Sequence, residues 1–191
     1  MNRYRRNRRL PMTLIAMLAL TCACKQPVPA AAEATTYGCD RDAHLGVELY
    51  GGIRTTIDWP ADILTCDSMP RPEGEGARLR FSGPGWEGST ARTIAFILGI
   101  PDLQPGSTGT ELPTHVTLIE EGSGRFFATQ DTNGCWTDID RHEAATRENV
   151  SSYRISGTLY CVAALAELNG GSSISFTKLN FAGRLNWEQP K

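Results

Sequence analysis

The chain has 191 residues, with 19 Lys and Arg against 21 Asp and Glu, and a formal net charge of −2. Five of the 19 basic residues and none of the acids lie before position 24, so the remainder carries 14 bases against 21 acids, a net of −7. That balance closes the basic-patch route to DNA or RNA, and no nucleic-acid partner is expected.

The chain opens on Arg3, Arg5, Arg6, Arg8 and Arg9. A mostly apolar run of 11 residues follows, Leu10 to Leu20. It is too short for a spanning helix, which needs about 20 residues. A charged start, a short apolar run and then small residues is the pattern of an export signal. The arginines hold the cytoplasmic side while the apolar run enters the translocon.

Next come Leu20, Thr21, Cys22, Ala23 and Cys24. This run resembles the lipobox of bacterial lipoproteins, in which Leu, a small residue and Gly or Ala precede the Cys that is lipidated. Ala23 stands before Cys24 as the family pattern asks, while Leu20 lies one place further upstream. Cys22 follows Thr21, which the pattern disfavours. The resemblance implies a signal peptide at 1–23, a lipidated Cys24 at the mature N-terminus and attachment to a membrane. Several acyl chains, at about 0.8 kcal/mol per buried CH₂, make such an anchor effectively permanent. Lys25, where inner-membrane lipoproteins carry Asp, resembles the outer-membrane default of Gram-negative lipoproteins. Lipidation at Cys22 is one alternative. A cut at Ala30-Ala31-Ala32, giving a secreted soluble protein, is another.

Residues 25–36 contain one large apolar side chain, Val28, and cannot repay the entropy of ordering. Residues 24–37 therefore read as a flexible tether, and 38–191 as one domain. A domain of that length buries roughly 70 % of the surface its unfolded chain exposes.

Six cysteines are present, and removal of the signal with lipidation of Cys24 leaves four: Cys39, Cys66, Cys135 and Cys161. An even number in an oxidising compartment predicts disulfides. Of the three pairings, Cys39–Cys66 and Cys135–Cys161 close two loops of similar, moderate size. Each is expected to stabilise the fold by about 3 kcal/mol. A zinc site would want cysteines at Cys-x-x-Cys spacing, which these four lack.

Along the domain, alternation of apolar and polar residues predicts strands. Leu45, Val47, Leu49, Ile53, Ile57 and Trp59 share odd parity, with Gly51-Gly52 as a hairpin turn or a kink. Ala77, Leu79 and Phe81 open the next strand, and Ser82–Gly88 must be loop. Ile94, Phe96, Leu98 and Ile100 alternate, and Pro101–Thr110 reads as loop. His115–Glu120 and Arg125–Thr129 flank a hairpin turn. Cys135–Asp140 and Tyr153–Cys161 are further strands. Ala163–Leu168 is a short helical candidate. The final run changes phase between Phe176 and Leu179, which predicts a bulge near Thr177-Lys178. The fold class is all-β: an antiparallel β-sandwich, or a barrel-like variant, of about eight or nine short, disulfide-bridged strands.

The chemistry-bearing residues are few. Asp138, Asp140 and His142 alternate and would share a strand face, as a divalent cation site requires. A solvated strand edge is the commoner meaning, and no metal is expected. Glu120-Glu121 and Glu73/Glu75 are paired carboxylates of the glycosidase type, but they fall in predicted turns and read as charged loop tips. Ser107, Ser123 and Ser172 fit no nucleophile elbow, and none of His44, His115 and His142 is singled out as a base. Trp59 and Trp187 lie on apolar stripes, and Trp136 has outward parity. Trp86, in the loop Gly83–Gly88, is the candidate binding residue.

The expectation is a non-enzymatic, lipid-anchored envelope protein with no cofactor, binding another protein or a cell-wall glycan. A structural or surface-coat lipoprotein is the alternative.

Overall fold

The computed structural model describes residues 39–72, 75–85, 92–131, 134–145 and 151–188. These residues form strands and turns and no helix. β1 (His44–Gly51) and β2 (Thr55–Pro60) are a hairpin in which Leu45 lies opposite Trp59 and Val47 opposite Ile57. These odd-numbered side chains are buried, as their alternation requires. The turn uses Gly51 at φ 98°, a conformation that favours glycine.

β3 (Thr65–Cys66) and β4 (Met69–Pro70) both pair with β5 (Ala77–Pro84), and β5 pairs with β6 (Thr93–Ile100). β7 (Gly109–Pro113) leads to β8 (His115–Glu121), which forms a hairpin with β9 (Arg125–Ala128). β10 (Cys135–Ala144) and β11 (Ser152–Cys161) are the longest pair. β12 (Leu165–Glu167), β13 (Ser173–Ser175) and β14 (Leu179–Asn186) complete the order.

Pairing is antiparallel and falls into two sheets. The first runs β2-β1-β14-β11-β10-β7. The second runs from β3 and β4 through β5-β6-β8-β9-β12-β13. The tip of β1, at Tyr50 and Gly51, pairs with β13 and joins them. The path is open, ending at β3 and β7. The inner faces meet in a sandwich-like core, where Phe81 packs on Phe181 at 5.5 Å and Trp59 meets Phe96 edge-on at 6.1 Å. Close packing is visible at Gly183, where a Cβ would stand 2.7 Å from the Phe81 ring.

Fourteen strands replace the eight or nine expected. β3, β4, β12 and β13 have two or three residues each, too few to show a period. β7 begins inside one stretch read as loop, and β5 runs through Ser82–Pro84, the start of another, because these residues pair with Thr93–Ala95 of β6. The helical candidate at 163–168 is instead β12, clamped between β9 and β13. So short a segment has almost no helical tendency of its own, and the neighbouring ladders decide its conformation. No bulge sits at Thr177-Lys178. The chain leaves the second sheet after β13 and enters the first at β14, and that crossing resets the phase. Register shifts lie at β10 instead, against β11 between Ile139 and Arg141 and against β7 between Thr137 and Ile139.

Two disulfides are present, in the pairing favoured from the spacing. Cys39–Cys66 ties the segment ahead of β1 to β3, and Cys135–Cys161 joins cross-strand neighbours of β10 and β11.

Candidate functional site

The outer face of the first sheet carries an open groove of about 470 Å³. Three strands build it. β1 contributes Gly46, Glu48 and Tyr50, the even positions that the buried odd stripe turns outward. β2 contributes Thr56 and Asp58, and the start of β14 contributes Asn180, with Lys178 just ahead of it. The register sets Gly46 between Asp58 on one side and Asn180 on the other, with Glu48 opposite Thr56.

Tyr50 is 38 % exposed at the end of the groove. The neighbouring Glu48 carboxylate raises the pKa of the Tyr50 hydroxyl. The Thr158 hydroxyl donates to Asn180 Oδ1 at 3.1 Å, fixing that amide from the β11 side. The groove thus offers an aromatic face, two carboxylates, an ammonium, an amide and a hydroxyl above a bare stretch of sheet.

The face that Asp138, Asp140 and His142 would share does not form. The register shift of β10 against β11 places Ile139 and His142 inward and leaves Asp138 and Asp140 outside. Asp138 accepts the Glu111 backbone N–H at 2.7 Å. His142 is 4 % exposed, between Tyr153 and Trp187. Its Nε2 lies 3.1 Å from Trp187 Nε1 and its Nδ1 lies 2.9 Å from the Ser107 carbonyl. The indole N–H can only donate, so Nε2 accepts and Nδ1 carries the proton. Burial lowers the His142 pKa, partly offset by the bond to Ser107.

The consequence for stability has a definite sign. Above about pH 6.5 the imidazole is neutral in both folded and unfolded chains, and its contribution is complete. As pH falls, the unfolded chain takes up the proton first. Stability then drops by at most about 1.4 kcal/mol per pH unit until the lowered folded pKa is reached. Thermal midpoints between pH 8 and 5 are expected to show this fall in the native chain and to lose it in His142→Gln. Equal pH profiles for the two chains would contradict the lowered pKa of the buried His142.

Glu120 corrects another expectation. It is the last inward position of β8, in phase with Val116 and Leu118, and is fully buried rather than at a loop tip. That shared parity was the available signal. Arg92 donates to its Oε1 at 2.7 Å and Ser123 to its Oε2 at 2.7 Å, while Arg125 lies 3.7 Å away. Burial pushes its pKa up, but the bonds from Ser123 and Arg92 and the two guanidinium charges outweigh this and bring it below the usual value. Glu75 is an exposed turn residue. Glu73 lies outside the described residues.

Trp59 is core, its indole donating to the Pro84 carbonyl at 3.1 Å. Trp187 is half-buried against His142. Trp136 lies on the outer face, stacked on Tyr160. Cys22, Cys24 and Trp86 lie outside the described residues. The base of the Trp86 loop is described, and the Gly85 N–H donates to the Arg92 carbonyl at 2.7 Å. Sequence reasoning passed over the groove residues because none is unusual alone. What makes them a site is the adjacency of β1, β2 and β14.

No family model matches the chain, and no curated protein or solved structure matches it.

Proposed function

We propose that the chain is an exported, non-enzymatic lipoprotein of the cell envelope, anchored through Cys24 and binding a cell-wall glycan or a protein partner. The observation that carries the reading is the pair of disulfides in a domain that follows an export signal. Disulfides persist in oxidising compartments and are rare where thiols are kept reduced. The signal run and the cystines thus support the same side of the membrane by independent chemistry. The polar groove supports a binding role, because it holds orienting groups on a rigid sheet. Lys25 supports the outer membrane as the destination in a Gram-negative cell.

Mass spectrometry of the mature N-terminus tests the anchor. An acylated peptide beginning at Cys24 is the expected result. A free N-terminus at Glu33 would replace the anchored protein with a secreted one.

A further inference from the structure

Gly46 stands in the interior of β1, where glycine weakens a strand. Several other strand glycines have local causes, though at Gly99 a Cβ would make only ordinary contact with His115 at 3.6 Å. A Cβ at Gly51 would come 2.4 Å from the Ser173 carbonyl oxygen, one at Gly157 2.2 Å from that of Asp138, and one at Gly83 2.7 Å from the Trp59 ring. At Gly46 a Cβ would meet nothing within 4 Å, and φ is not in the left-handed region. Neither packing nor backbone conformation asks for glycine there. What its bareness does is keep the groove floor open between Asp58 and Asn180. Close approach of a ligand to the sheet is one of the established reasons for a glycine inside a strand, and at Gly46 it is the one that coincides with a groove.

We infer that the groove over Gly46 takes a neutral saccharide, its ring lying on the glycine floor and against Tyr50. The inference rests on the binding role proposed above and names the ligand class. The exposed ring of Tyr50 suits the C–H face of a sugar. Glu48, Asp58, Asn180, Lys178 and Thr56 supply acceptors and donors together, matching hydroxyls that both donate and accept. Two carboxylates against one ammonium disfavour a polyanion. β1 is paired on both sides here, so an extended peptide finds no free backbone edge to extend.

The test titrates two neutral probes, an N-acetylglucosamine tetramer and maltotetraose, into the mature chain and into Gly46→Val and Tyr50→Ala. An anionic oligosaccharide and a neutral peptide are the comparison ligands. At least one neutral tetrasaccharide is expected to bind. Gly46→Val should weaken it tenfold or more while the melting temperature stays level or rises, since valine favours a strand. Tyr50→Ala should weaken it as well. The inference is overturned if neither sugar binds, if only the anion or the peptide binds, or if both variants bind as the native chain does. Should Gly46→Val fail to fold, unchanged affinity in Tyr50→Ala and Asp58→Asn overturns it. The anchor is judged separately. An acylated Cys24 with no sugar bound defeats this inference alone, and a free N-terminus with sugar bound defeats only the anchor.

Discussion

Reduction of both disulfides is expected to unfold the domain at 37 °C. Each closes a loop, with separations of 27 and 26 residues. Loop-closure entropy gives about 3 kcal/mol for each. The sum approaches the whole stability of an ordinary domain, about 5–15 kcal/mol. The two bonds are expected to differ in what they release. Cys135 and Cys161 sit in register on β10 and β11, which the rest of their ladder still pairs when the bond is gone. Cys39 precedes β1 outside any strand ladder, so without the bond its segment leans on the ion pairs of Asp40 with the partly exposed Arg184 and Arg154, which contribute little. Cys39→Ala with Cys66→Ala should therefore expose the start of the domain to protease before the core opens. Cys135→Ala with Cys161→Ala should lower the denaturation midpoint without that early cut. Folding that persists in reductant at 37 °C would contradict the first expectation. Equal proteolysis of the two double variants would contradict the second.

Glu120→Gln is expected to cost about 2 kcal/mol, the range for lost hydrogen bonds to a charged group, read by chemical denaturation. The larger cost of an uncompensated buried charge does not apply, because the Arg92 and Arg125 side chains remain 47 % and 30 % exposed and keep some hydration. The damage should spread through Arg125, which also bonds Glu167 at 2.6 Å and the Gly52 carbonyl at 3.2 Å. One carboxylate thereby ties β8 to the β1–β2 turn and to β12. Its folded pKa is lowered, so its stabilisation is complete above the unfolded value of about 4.5 and is lost as pH falls through the folded one. The acid limb of the stability profile should thus be shallower in Glu120→Gln. A variant as stable as the native chain would show the carboxylate to be dispensable.

Much of the fold was legible from parity. Leu45, Val47 and Leu49, the run Ile94 to Ile100, and Ile155 with Leu159 lie inside because a strand turns alternate side chains to one face. Candidate sites were less legible. His142 had the wrong face because one extra residue in β10 inverts everything after it, and no local residue type announces that shift. Glu120 was placed in a turn because a carboxylate at a strand end is ordinarily solvated, and the arginine that offsets its burial stands 28 positions away.

By itself the sequence carried the all-β class, the inward stripes and an even set of four cysteines, with the observed pairing as the favoured one of three. These depend on residue type and near spacing, which the chain carries locally. Only the tertiary structure decided that β12 is a strand, that the chain changes sheets between β13 and β14, and that Glu120 is buried. It also decided that Gly46 lies bare between Asp58 and Asn180. Each of these turns on a neighbour distant in sequence, and it is that neighbour's backbone edge or charge that selects the outcome.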